Sequence, residues 1–255
     1  MRKRHNLEPR MERCKEYLIT DPEERKGAWR KPGRGLLLEI GCGKGSFTCA
    51  LAAAEPERDL VAIEKVPDAM ILAMERAKAA GLGNVCFLDF DAARLREIFG
   101  PGELDRIYIN FCDPWPKSRD AKFRLTAPSF LRIYADLLPV GGEIRFKTDN
   151  AALFEWSLLQ FEREGWEIRE LTRDLHAQGT RGILTDYERR FMEAGTAIRM
   201  LRAVRRPETL DGRAGEPPRL RDAALADARA NQAEKAPDGG PETSMKKEET
   251  GGESV

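Results

Sequence analysis

The sequence predicts an α/β fold, a mostly parallel seven-stranded sheet with helices on both faces. Three observations predict it. Short apolar runs alternate with helix-like stretches of ten to fifteen residues from residue 35 to residue 206, the mark of βαβ units. The runs are near-continuous in apolar residues, as strands buried on both faces are. The first run ends in a glycine cluster, Gly41, Gly43 and Gly45, placed where such folds turn from strand to helix.

The elements follow in order. GLLLEI (35–40) reads as the first strand and SFTCALAAAE (46–55), rich in alanine, as a helix. LVAIEK (60–65) is the second strand. The next stretch opens at Pro67 and closes at Gly81, proline just inside a helix and glycine just past it. VCFLDF (85–90) is a third strand, followed by a short helix over DAARLREIF. LDRIYINF (104–111) is a fourth, with a helix and its stop in APSFLRIYADLLPVGG (127–142). EIRFKT (143–148) is a fifth, and AALFEWSLLQFEREG a helix with an apolar face. WEIRELTRDL and AIRMLRAVRR (197–206) supply the last two strands.

Charge divides the chain into three. Residues 1–34 carry eleven Lys/Arg against six Asp/Glu and read as a basic N-terminal arm, with Arg2, Lys3 and Arg4 a patch that orders on RNA or serves no function. Residues 35–206 form the folded domain. Residues 207–255 hold eleven Asp/Glu, seven Lys/Arg, five prolines and no aromatic residue, too little apolar surface to pack, and are expected to be disordered. The formal net charge of zero thus hides a mildly basic body and an acidic tail. Five cysteines without a CxxC pair, and two histidines, argue against a zinc site and for a reducing compartment. The polar N-terminus lacks a signal peptide's apolar stretch, and no apolar run approaches the roughly 20 residues of a membrane span. A soluble, intracellular protein that binds no metal is expected.

The glycine loop carries the first chemical signal. A dinucleotide fingerprint, GxGxxG, needs glycine at the position of Ser46. The spacing here, with Glu39 just ahead, resembles the first motif of Rossmann-like class I methyltransferases that use S-adenosylmethionine. That cofactor is cationic, so acids near the loop make electrostatic sense. Glu39 acts there or is a strand-end acid facing solvent. Glu64, nineteen residues after Gly45, suits ribose hydroxyls. Asp91, followed by Ala92, meets an adenine amino group or caps a helix, and Asp89 competes for the same role. All of these converge on the carboxyl edge of the sheet, where ligands of such folds bind.

At the same edge, residues 110–117 read NFCDPWPK. With KSRDAKFRLT behind it, this stretch resembles the signature of bacterial tRNA (guanine-N7-)-methyltransferases, approximately NF-x-DPWPK-x-R-H-x-KRRL. The resemblance covers residues 1–206 and includes EIGCGKG, IEK, DFDA, FKTDN (146–150), LHAQ (175–178) and TDYERRF (185–191). Cys112, Asp120 and Phe123 depart from it, standing where Pro or Ser, His and Arg are usual, and the last two remove positive charge.

The resemblance implies methyl transfer from S-adenosylmethionine to N7 of a guanine in the tRNA variable loop, by a cytoplasmic monomer or homodimer. It implies cofactor and catalytic roles at Glu39, Gly41, Gly43, Glu64, Asp91, Ala92 and Asp113. It implies substrate contacts at Lys117, Asp149 and the stretch from Thr185 through Tyr187 to Glu188. The residues read by themselves agree. Asp113 is the catalytic candidate, a carboxylate able to hold the base and meet a developing positive charge. Lys117, Arg119, Lys122 and Arg124 suit phosphates, or form a solvated charged loop. Trp115 stacks on a base or fills the core beneath the turn. Asp149 and Asn150 bind the guanine edge or cap a helix. Thr185 with Glu188 spells a capping box, and His176 is a packed loop residue or a ligand. A nicotinamide oxidoreductase is disfavoured by Ser46, and a non-catalytic RNA-binding module leaves the strand-end acids without a task.

Overall fold

The computed structural model describes residues 6–177, 179 and 181–210. Arg2, Lys3 and Arg4 of the expected arm, and residues 211–255 of the expected tail, lie outside the described residues. The elements run α1 (Leu7–Arg13), β1 (Gly35–Ile40), α2 (Ser46–Ala54), β2 (Arg58–Ile63), α3 (Pro67–Ala79), β3 (Val85–Leu88), α4 (Leu95–Ile98), β4 (Arg106–Asn110), α5 (Pro128–Leu137), β5 (Glu143–Thr148), α6 (Ala151–Arg163), β6 (Glu167–Thr172), α7 (Asp186–Glu193) and β7 (Arg199–Val204). The seven strands form one sheet in the order β3-β2-β1-β4-β5-β7-β6. The first five are parallel, and β7 runs antiparallel between β5 and β6.

The chain enters the sheet at its centre. Since β1 lies between β2 and β4, the order reverses there, and it is beyond the carboxyl ends of strands at such a switch point that ligands of open α/β sheets bind. Side chains alternate across the pleat. Leu36, Leu38 and Ile40 therefore enter one core with α4, α5 and α6, while Leu37 enters the other with α2 and α3. Glu39 shares Leu37's face, which aims its carboxylate at α2.

Helix limits follow local chemistry. In α3, Pro67 occupies the first turn. Gly81, at φ 63°, closes it with a Schellman pair, Leu82 N–H to the Ala77 carbonyl and Gly81 N–H to that of Lys78. Residues 91–99, expected as one short helix, divide into a 3-10 turn, Ala92–Arg94, and the single turn of α4. β2, β3 and β4 stop before Glu64, Asp89 and Phe111, which sets these residues just beyond the carboxyl ends of their strands.

Residues 6–34 are docked on the body rather than standing off it. Cys14 is buried, with Leu7, Met11 and Tyr17 packed beside it, and Arg10 forms a two-pronged ion pair with Glu75 of α3 at 2.7 and 2.5 Å. Trp29 is buried in the other core, its indole N–H donating to the Ile98 carbonyl. The segment is rich in positive charge, but scattered apolar residues hold it down. At the other end Pro207–Leu210 form a 3-10 turn in which the Thr209 hydroxyl donates to the Gly165 carbonyl.

Candidate active site

The glycine loop leaves β1 through three residues at positive φ, Gly41 (78°), Gly43 (55°) and Gly45 (73°). Gly45 meets a second demand, since a Cβ there would lie 2.5 Å from that of Ala73 in α3. Cβ positions built on Gly41 and Gly43 have no atom within 4 Å, so the loop presents open backbone. Glu64 holds the loop in shape, accepting from Gly43 N–H (2.8 Å) and Val66 N–H (2.9 Å).

Glu39 is 2% exposed. It accepts from the Thr48 hydroxyl of α2 at 2.6 Å and from Asn110 Nδ2 of β4 at 3.3 Å. Burial pushes its carboxyl up to about 7, against the pull of those two hydrogen bonds. Asn110 is also buried, and its Oδ1 has no partner among the described residues. A buried acid and an orphaned carbonyl thus lie side by side between β1 and β4. The solvent-facing alternative for Glu39 does not hold.

Asp91 caps the 3-10 turn through Ala93 N–H (2.9 Å) and pairs with Lys65 at 2.5 Å. The Lys65 hydrogen bond, then that from Ala93, hold its carboxyl below the ordinary aspartate value. Ala92 is buried, whereas Asp89 is exposed.

The turn after β4 is strained. Among the described residues, the non-glycine positive φ values are those of Phe111 (54°) and Trp115 (43°). Bulky residues rarely adopt this conformation, and it costs about 1–3 kcal/mol each where it persists. The two flank Asp113, whose carboxylate is exposed and makes no hydrogen bond or ion pair among the described residues. Burial and then the Asp113 charge push the neighbouring Cys112 thiol up to about 12.

Two anchors hold the strained residues. The Phe111 ring stacks on Tyr187 and Phe191 of α7, at centroid distances of 6.0 and 5.8 Å. Trp115 is held by Arg124. Arg124 was expected to meet phosphate, but it is 8% exposed. Its guanidinium lies 4.4 Å from the Trp156 ring centroid and donates to the carbonyls of Pro114 (3.0 Å) and Trp115 (3.0 and 3.3 Å). The turn's carbonyls point inward and need a forked donor, which draws this arginine out of the basic cluster. Lys117, Arg119 and Lys122 are exposed, as a phosphate-facing row requires. Trp115 does not fill the core. It is 39% exposed, with its ring 5.3 Å from that of Phe123.

Thr185 and Glu188 complete the capping box of α7, at 2.9 Å in both directions. Glu188 is fully buried and also accepts from Lys147 Nζ (2.9 Å) and His176 Nε2 (3.2 Å). His176 Nδ1 accepts from Arg181 N–H, which assigns the ring proton to Nε2. In this structure the Thr185 hydroxyl and the Glu188 carboxylate, both expected to contact substrate, are engaged within the protein. Exposed Tyr187 remains available. α7 also reaches the glycine loop, with Arg189 donating to the Ser46 hydroxyl at 3.1 Å. Asn150 is the helix cap of α6, which leaves Asp149 beside it at the strand end, partly exposed.

The structure thus gathers Glu39, Gly41, Gly43, Glu64, Asp91, Asp113 and Asp149 along one sheet edge. Two contributors escaped the sequence reading, Asn110 and Lys147. Each is a polar residue near the carboxyl end of its strand, β4 or β5. A hollow of about 840 Å³ lies at the opposite end of the strands. Its cations Arg30, Lys31, Arg34 and Arg58 already pair with acids such as Asp59 and Asp105, so it adds nothing to this edge. Among the described residues no group of three His, Cys, Asp or Glu is placed to hold a metal ion, and no helix is long and apolar enough to cross a membrane.

A family model described as a putative methyltransferase matches residues 34–201. A tRNA (guanine-N(7)-)-methyltransferase of Lachnoclostridium phytofermentans is 42% identical over 198 residues, 76% of this chain and 92% of that protein. Proteins of the same name from Streptococcus suis (41% identical, 72% of this chain and 88% of that protein) and Geobacillus kaustophilus (39%, 75% and 90%) are similar to the same extent. Two solved structures share the fold. The 16S rRNA methyltransferase KamB has a TM-score of 0.54 at 20% identity, covering 73% of this chain and 92% of that one. A 16S rRNA (adenine(1408)-N(1))-methyltransferase from Catenulisporales acidiphilia, solved with SAM, has a TM-score of 0.52 at 15% identity, covering 74% and 92%.

Proposed function

The chain belongs to the tRNA (guanine-N7-)-methyltransferase family, and on that premise we propose that it transfers a methyl group from S-adenosylmethionine to N7 of a variable-loop guanine in tRNA, forming 7-methylguanosine in the cytoplasm. The observation that carries the reading is the exposed, unengaged Asp113 carboxylate between two strained residues at the carboxyl end of β4.

The residues at this edge suit the donor. The Glu39 carboxylate and the orphaned Asn110 Oδ1 are the acceptors that would hold the donor's ammonium group. Open backbone at Gly41 and Gly43 admits close approach, Glu64 keeps lone pairs for ribose hydroxyls, and Asp91 with Ala92 lies where adenine would end. When bound, the donor supplies an electrophilic methyl group on a sulfonium sulfur.

The remaining work falls on the chain. Guanine N7 carries a lone pair, so no base is needed to deprotonate it. What is required is orientation and a counter-charge as the ring becomes cationic. Asp113 provides both, accepting from the guanine edge and facing the growing charge. Asp149, at the end of the neighbouring strand, accepts a second hydrogen bond from the base. Tyr187 borders the pocket through its stack on Phe111. Lys117, Arg119 and Lys122 meet the phosphates of a looped-out strand.

The test is to incubate the full chain with unmodified tRNA and methyl-labelled S-adenosylmethionine, then digest and identify the labelled nucleoside. Labelled 7-methylguanosine is expected. Label in another nucleoside, or none, overturns the reading.

A further inference from the structure

Of the large apolar side chains that the described surface leaves exposed, one pair forms a continuous aromatic face. Trp115 is 39% exposed and Phe123 49%, with ring centroids 5.3 Å apart and planes inclined by 50°. Leaving such rings in water is unfavourable, and the Trp115 backbone is strained besides, at φ 43°. A chain needing only a turn would place glycine there. This chain instead fixes the tryptophan outward, with Pro114 and Pro116 on either side and Arg124 bonded to the Trp115 carbonyl.

We propose that Trp115 and Phe123 are a stacking platform for an unpaired nucleobase of the tRNA, a neighbour of the guanine that enters the site. The proposal rests on the function proposed above. Three features choose a base as the occupant. The pair begins two residues beyond Asp113, so a strand delivering its guanine there passes over it. Cations surround it, with exposed Lys117 and Arg119 nearby and Lys122 Nζ 5.1 Å from the Phe123 ring centroid, the mixture of aromatic faces and phosphate-seeking charge that single-stranded RNA requires. Finally, Phe123 is 49% exposed amid charged neighbours, a π face that a solvated charged turn does not need.

The protein offers a direct readout. Trp29, Trp156 and Trp166 are buried, which leaves Trp115 as the one exposed tryptophan of four. Titrating the full chain with unmodified tRNA should quench an iodide-accessible fluorescence component saturably and protect it from iodide. Trp115→Phe should remove that component. Phe123→Leu keeps the apolar bulk but removes the ring. It should raise the KM for tRNA roughly tenfold, from the usual strength of one base stack, with the larger part of the effect in KM and an unchanged salt slope. Phe123→Tyr should restore the parent value. The platform is overturned if tRNA is bound and methylated while Trp115 stays open to iodide, or if Phe123→Leu behaves as the parent. It is likewise overturned if Phe123→Leu abolishes a concentration-dependent self-association, since the pair would then be an interface between copies. A chain that neither binds nor methylates tRNA loses the platform and the proposed function together.

Discussion

The guanidinium of Arg124 donates to the carbonyl of Trp115, nine residues earlier in the chain, at 3.0 Å. This bond ties the helix-packed interior to the left-handed turn beyond Asp113. Arg124 is in turn seated on Trp156 of α6, so the position of an exposed carboxylate depends on a buried cation.

Arg124→Lys keeps the charge and loses the fork. Charged hydrogen bonds of this kind are each worth ~1.5–3 kcal/mol, and a desolvated cation–π contact adds ~2 kcal/mol. The variant should melt earlier by a few kcal/mol on these figures. Assayed well below its melting temperature, it should show a kcat reduced at least tenfold and an unchanged donor Kd. A purely structural role predicts normal kcat once the protein is folded, and that outcome would remove Arg124 from positioning Asp113.

Asp113→Asn preserves size and removes the charge. Methyl transfer should fall by about 10²-fold or more, the usual effect of deleting one preorganised electrostatic contact, while the melting temperature holds because the side chain has no partner to lose. Single-turnover rates with tRNA decide it, and near-parent turnover would unseat Asp113.

Most of the fold was legible in the sequence because it rests on local pattern. Seven strands and their intervening helices were visible as apolar runs, and Gly81 and the Thr185–Glu188 capping box announced their helix ends correctly. The glycine loop was legible for the same reason, since a turn's demand for positive φ is written in its own residues. What was not legible depends on non-local burial. Arg124 looked like its neighbours Lys117, Arg119 and Lys122, and only the inward carbonyls of a turn ten residues away distinguish it. Asn110 and Lys147 look no different from the other polar residues of their strands, Arg106, Glu143 and Arg145, and their roles appear only when β1 and α7 come to lie against them. The docking of residues 6–34 was masked by their charge, because three or four buried side chains fix a segment whose average composition is polar.

Glu39 gives a pH signature. Its folded pKa, about 7, lies above the 4.5 of an ordinary glutamate. The folded state therefore holds a proton that the unfolded state has released, and between these values stability falls as pH rises. Above about 7 both states are ionised and the burial penalty is felt in full. An ammonium brought beside Glu39 favours its ionised form, so donor binding near pH 6 should release a proton and binding at pH 8 should release none. Calorimetry in buffers of different ionisation enthalpy measures this directly. In Glu39→Gln the proton release should vanish, and a release that persists in that variant would assign it elsewhere.

Glu188 and Thr185 separate two contributions to the docking of α7. Thr185→Ala removes one helix cap and should cost about 1 kcal/mol. Glu188→Ala strands the Lys147 ammonium beneath the protein surface and should cost about 3–5 kcal/mol, as for a broken buried ion pair. Denaturant melts should show this inequality. Equal losses would mean that Lys147 finds water or another acceptor when Glu188 is gone.

Salt dependence tests which loop cations reach RNA. With Arg124 turned inward, Lys117, Arg119 and Lys122 are the row available for phosphates. Each phosphate neutralised on a single strand contributes ~0.7 to the slope of log affinity against log salt. Changing Arg119 and Lys122 together to alanine should flatten the slope for tRNA by about 1.4 on that per-contact figure, while donor affinity holds because neither residue touches the glycine loop. Arg124→Lys should leave the slope unchanged, since its charge faces Trp156 and the turn rather than solvent. Titrations at several salt concentrations distinguish the cases. A parent slope in the double variant would move the RNA contact off this loop, and a flattened slope in Arg124→Lys would mean that its guanidinium leaves the turn when tRNA binds.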